Sequence, residues 1–163
     1  MGTSLIRRDA TVSTLRFWDY YNMTETFTDL HERASNNESF DYLYGIITSR
    51  ENILLAYRTM KSNKGSKSPG TDGKTIKDIK KLSEHELVNI IQTKLQNYHP
   101  KKVRRKWIEK ESGKFRPLGI PCILDRIIQQ CFKQVLEPIA EAHFYKHSYG
   151  YGLLIMLWQG YNS

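Results

Sequence analysis

Metal-ligand spacing is missing from this chain. Its 163 residues include two cysteines, Cys122 and Cys131, and five scattered histidines. None of the seven stands at zinc-like spacing from another. Two thiols without a framework fit a reducing compartment and exclude a disulfide-stapled scaffold. Long apolar runs are also lacking, so a membrane-spanning helix is not expected and no membrane partner is implied. The first residues, "MGTSLIRRDATVSTLRF", have no apolar stretch of the signal-peptide kind. Gly2 after Met1 is not a strong lipidation signal by itself. A cytoplasmic location is the default expectation. Acidic charge is in deficit: 17 Asp and Glu against 25 Lys and Arg leave a net charge of +8 and a pI near 9.5. Such a surplus favours a polyanionic partner, nucleic acid first and an acidic surface second.

What is present sorts into three stretches. Residues 1–48 read as a partly ordered N-terminal extension, polar and aromatic-rich. A helix there runs through Phe27, Leu30 and Ala34, and "SNNESF" follows as a linker. Residues 49–150 carry the sharper pattern. Ser49 caps a helix with Ile53, Leu54, Tyr57 and Met60 on one face, ended by Gly65. "GSKSPGTDG" is a turn segment in which Pro69-Gly70 and Asp72-Gly73 each specify a tight turn. Ser83 and Glu86 have capping-box spacing ahead of a stripe formed by Leu87, Ile90, Ile91 and Leu95. Pro100 closes that helix.

The periodicity then switches. Val103, Arg105, Trp107 and Glu109 alternate with Arg104, Lys106, Ile108 and Lys110, which predicts a strand. "ESGK" turns at Gly113, and "FRPLGIP" returns as an edge strand, given Pro117. A long helix follows, with Ile127, Ile128, Cys131, Val135 and Leu136 as its core face. Pro138 is expected to end or kink it. The fold class is therefore α+β: helices, a basic hairpin and a long helix.

Strand alternation projects Arg and Lys from both sides of such a ribbon. That arrangement suits phosphates, since Arg donates two hydrogen bonds and Lys a mobile point charge. It equally suits a solvated edge strand guarded by charge against aggregation. Residue types alone do not separate the two.

The order of the signals does. "NKG…PGTDG", "YHPKKVRR", "GKFRPLGIPCILDRIIQQ" and "LEPIAEAHFYKHSYG" together resemble the N-terminal part of bacterial group II intron reverse transcriptases, also called maturases. The resemblance runs from about Thr24 to Gly150. It implies the fingers subdomain of a right-hand polymerase and the start of its palm, from an RNA-directed DNA polymerase that uses magnesium. By the same resemblance Lys110 and Arg116 match the basic pair that holds the incoming nucleotide's triphosphate. Lys101, Lys102, Arg104, Arg105, Lys106 and Lys114, with Asp72 and Gly73 of the "GTDG" turn, match the part that touches template and intron RNA. One departure is plain: the family usually has proline on both sides of the lysine, and here Glu109 and Glu111 stand there.

Polymerase chemistry needs paired carboxylates holding two metal ions. The family carries them downstream of "SYG", one set in a Tyr-Ala-Asp-Asp motif, and this sequence contains no such motif. Asp72 and Asp125 read instead as a turn aspartate and a helix-start aspartate. No catalytic residue, bound cofactor or metal site is therefore expected in this fragment, and no polymerase activity from it alone.

The tail, residues 151–163, is expected to be aberrant. Where the family continues approximately Phe-Arg-Pro-Leu-Arg-Ser-Thr-His-His-Ala, this chain reads "YGLLIMLWQGYNS". Codons read one frame over recover much of the family sequence. Trp158 into Gln159, for instance, must give Ala. A frameshifting deletion just after Gly150 accounts for this. A variant end that packs Leu153, Leu154, Ile155, Leu157 and Trp158 into a core is the other account. Two further functional readings stand beside a truncated reverse transcriptase. One is an RNA-binding module that assists intron splicing on its own, and the other is a pseudogene product without function. The missing C-terminal half of the same enzyme is a possible partner beside RNA.

Overall fold

The computed structural model describes residues 17–111 and 113–143. The frameshift reading and residues 151–163 lie outside them. A helical turn over 17–20 precedes helix α1 (Thr24–Ser35). Then come α2 (Leu43–Ile47), α3 (Arg50–Ser62), a 3-10 turn (Lys64–Lys67), α4 (Ile76–Ile79) and α5 (Glu84–Gln96). Strands β1 (Arg104–Glu109) and β2 (Phe115–Ile120) lead into α6 (Ile123–Ala142). The described chain is thus mixed helix and sheet, with a single antiparallel two-stranded ribbon among the described residues.

The core is helical, and α6 is its axis. Helices α1 and α3 both pack against α6, and α5 covers the other side of α3. Phe27, Leu30 and Ala34 recur at helical spacing in α1 and are all buried. Ser49 accepts a hydrogen bond from the Asn52 N–H at 3.3 Å and so starts α3 as its sequence implies. Four successive α3 residues, Ile53 to Ala56, are buried, a wider face than one stripe needs. Coverage from two sides explains that width.

Helix α5 opens with the expected reciprocal cap. The Glu86 N–H donates to Ser83 Oγ at 3.2 Å, and Glu86 Oε2 accepts from the Ser83 N–H at 2.7 Å. Its stripe is Leu87, Val88, Ile91 and Leu95. Ile90, expected inside, is 36% exposed. It sits one residue, about 100° of helix, away from Ile91 at the stripe's centre. Leu136 is likewise only half-buried. It lies just off the Cys131–Val135–Pro138 line. Pro138 does not end α6, which continues to Ala142 with that residue buried inside it. The proline removes one backbone bond, the one the Gln134 carbonyl would accept.

A buried polar knot ties α3 to α6. Asn52 Nδ2 donates to the carbonyls of Ile47 and Cys131 at 2.9 and 3.1 Å. Gln134 Nε2 donates in turn to the Asn52 carbonyl at 2.6 Å and to its side-chain oxygen at 2.5 Å. Both side chains are almost fully buried, 0% and 5% exposed, and each finds partners, as burial requires.

Candidate nucleic-acid interface

The hairpin's register decides which side chains share a face. Arg104 pairs with Ile120, Lys106 with Leu118 and Ile108 with Arg116. These six share one face. Arg105, Trp107 and Glu109 pair with Gly119, Pro117 and Phe115 on the other. The first face is turned toward the body: Ile120 is buried, Arg104, Ile108, Arg116 and Leu118 are half-buried, and Lys106 alone of the six is exposed. The second is exposed along β1. Gly113, with φ of +74°, makes the tip turn. There the Lys110 N–H donates to the Lys114 carbonyl and the Gly113 N–H to the Lys110 carbonyl, both at 2.8 Å. The ladder thus extends one residue beyond β1. Alternation carried that far puts Lys110 on the face of Arg116, one step diagonal to it. Glu109, one of the two flanking carboxylates, falls on the opposite face, and Glu111 lies exposed in the turn.

The hairpin's base is anchored by the "GTDG" turn and the start of α6. Arg104 Nε donates to the Pro69 carbonyl at 2.8 Å. Thr71 Oγ1 donates to the Lys102 carbonyl at 2.8 Å. Gly70 lies so close to the β2–α6 junction that a Cβ there would stand 2.6 Å from Cys122 Cα and 2.9 Å from the Pro121 carbonyl oxygen. Only glycine fits. Arg126, from the first turn of α6, spans the same junction. It donates to the carbonyls of Pro121 at 3.0 Å, Gly65 at 2.8 Å and, by a short bond, Ser68. Burial lowers the pKa of that guanidinium from its ordinary value, and the nearby Arg104 charge adds to the effect.

Asp125, 1% exposed, holds the incoming strand. Its oxygens accept from Lys94 Nζ at 3.1 Å, Tyr98 Oη at 3.3 Å and the Lys101 N–H at 3.1 Å. Asp72 accepts from the Lys74 N–H at 3.2 Å and lies 3.5 Å from Lys101 Nζ. Burial acts to raise the Asp72 pKa. The Lys74 N–H, the Cys122 thiol and the Lys101 charge outweigh it and hold the carboxyl below its usual range. Asp72 thus sits bonded within its turn and Asp125 at the start of α6.

The sequence-derived residues fall into three groups. Lys110 and Arg116 come together on the body-facing side, Arg116 half-buried and Lys110 exposed. Lys102, Arg105, Lys106 and Lys114 are exposed along the ribbon. Lys101, Arg104 and Asp72 take part in the anchoring network, with Gly73 beside them at φ of +69°. Arg126 was missed. An Asp-Arg pair in the first turn of a helix, three residues past "GIPC", was its available signal. Between the inner face of β2, the end of α3 and the flank of α6 lies a groove of about 700 Å³, bordered by Leu118, Ile120, Arg126, Phe132 and Leu136.

No protein-family profile matches the chain. Individual proteins do. It is 37% identical over 128 residues, 74% of its length, to the group II intron-encoded protein LtrA of Lactococcus lactis subsp. cremoris. The chain belongs to the group II intron-encoded proteins. Protein YkfC of Escherichia coli (strain K12) is 39% identical over 113 residues, 67% of this chain. The putative COX1/OXI3 intron 2 protein of Saccharomyces cerevisiae is 29% identical over 133 residues, 78% of this chain. The chain spans 21% of the length of LtrA, 29% of YkfC and 15% of the yeast protein. Among its described residues no helix is long and apolar enough to cross a membrane.

Proposed function

We propose that this chain is the fingers part of an RNA-directed DNA polymerase of the group II intron type, binding template RNA and nucleotide phosphates. The observation that carries the reading is the shared ribbon face of Lys110 and Arg116. Two cations one diagonal step apart match adjacent phosphates, one as a point charge and one as a fork. Lys102, Arg105, Lys106 and Lys114 extend the positive surface along the ribbon for an RNA backbone. Glu109 falls on the other face of the ribbon, away from that pair.

The chain alone does not polymerise under this proposal. Magnesium serves the intact parent, where it would activate the primer hydroxyl and neutralise the leaving pyrophosphate. The described residues do not suit it: no three His, Cys, Asp or Glu side chains converge. Asp125 and Asp72 are already committed to lysines and backbone N–H groups.

The test is fluorescence anisotropy of labelled single-stranded RNA against a salt series. Steep salt dependence is expected. Arg105→Ala with Lys106→Ala should weaken binding and flatten the log–log slope by roughly 1.4, about 0.7 for each phosphate no longer neutralised. An unchanged slope removes the ribbon from the interface. Arg104 is left intact because its bond to Pro69 anchors the hairpin.

A further inference from the structure

The Lys110 and Arg116 pair does not use the ribbon's outward face. Trp107 and Phe115 lie there, 59% and 64% exposed. The pairings Trp107 with Pro117 and Glu109 with Phe115 make the two rings diagonal neighbours on one face. Such neighbours are roughly 7–8 Å apart between Cα atoms, within the reach of aromatic side chains. Both rings stand on a two-stranded sheet whose other face is turned to the body, so the core does not use them. Large rings left in water on an isolated ribbon mark a contact surface.

The surroundings choose the partner. Arg105 shares the face and is exposed; Lys102, ahead of β1, and Lys114, which alternation puts on the opposite face, are exposed at the ribbon's two ends. Aromatic rings interleaved with Arg and Lys are the composition of single-strand binding surfaces, where bases stack on the rings and cations follow the backbone. Glu109, opposite Phe115, disfavours a phosphate at the tip end and so sends the backbone along the Arg105 side.

We propose that Trp107 and Phe115 form a stacking platform for unpaired RNA bases, on the opposite side of the ribbon from Lys110 and Arg116. The inference rests on the RNA-binding reading and adds base contacts to it. Stacking is indifferent to base identity, because every base has a π-face. The platform therefore distinguishes strands with bases from strands without them, and unpaired RNA from duplex.

The experiment compares the full chain's affinity for a short oligouridine strand and for an abasic strand of equal length and charge. The wild-type chain should prefer oligouridine. Trp107→Ala should lose about tenfold on oligouridine, the effect of one stack removed, and nothing on the abasic strand. Phe115→Ala should behave alike, and Trp107→Phe should restore most of the loss. Unchanged thermal unfolding verifies that these exposed substitutions leave the fold intact. Equal wild-type affinity for the two strands overturns the platform and leaves phosphate binding standing. So does a Trp107→Ala chain that binds oligouridine as the wild type does. If that variant instead turns a dimer into a monomer in sedimentation with RNA affinity unchanged, the face is a contact between copies and the platform is wrong. Binding to neither strand overturns the RNA-binding reading itself.

Discussion

Asp125 has almost no exposed surface and three partners, so its charge is held by neighbours rather than by water. Removing it strands Lys94, which is only 26% exposed, and frees the Lys101 backbone N–H at the entrance to β1. Loss of one partner of a buried ion pair costs about 3–5 kcal/mol. Asp125→Ala should lower the unfolding free energy in urea by that amount, and a chain that unfolds at the wild-type midpoint refutes the anchoring role. Arg126 has the complementary task. It fixes three carbonyls of two loops to the first turn of α6. An acid and a base at successive positions thus hold the two ends of one hairpin, Asp125 at its entrance and Arg126 at its exit.

The hairpin as an element depends on a glycine that lies outside it. A methyl group on Gly70 would meet backbone atoms of Cys122 and Pro121, which have no rotamer to give way. Gly70→Ala should destabilise the chain by about 1–3 kcal/mol, the usual cost of overpacking. It should also weaken RNA binding more than its stability loss explains, because the ribbon is reseated. Full RNA affinity in a folded Gly70→Ala chain contradicts this. Much of the element plan was legible in the sequence. Ser49, Ser83 with Glu86, and the "ESGK" turn are local signals, and α3, α5 and the ribbon sit where those signals put them. Helices α2 and α4 were not legible. They have five and four residues, too short for a hydrophobic period to register. Pro138 does not end α6, because packing along that helix outweighs one missing backbone bond. The site was legible as a set of cations, but its division into two faces depends on register. Trp107 read as one member of an unsorted alternation until its pairing with Pro117 gave it a side.

At the scale of the molecule, acid should act in two stages. Burial raises the Glu137 pKa against the opposing effect of Lys133, so its ionised form is disfavoured in the fold. Protonation relieves that cost, and stability should rise slightly as the pH falls from neutrality toward that carboxyl. Asp72, Asp78 and Glu86 are lowered in the fold. Their contribution is complete above the unfolded values of 3.8 and 4.5, and is lost as the pH drops through the folded values below these. Urea midpoints from neutrality to about pH 3 should therefore show a shallow maximum and then a decline. A monotonic rise into acid contradicts the capping and anchoring carboxylates. Because α6 is the axis, the order of synthesis also matters. Asn52 waits for the Cys131 carbonyl, 79 positions later. At about 5–20 residues per second the ribosome takes roughly 4–16 seconds to supply it. For that interval the faces of α1 and α3 that pack on α6 have no cover, and they stay open to other apolar surfaces until α6 emerges.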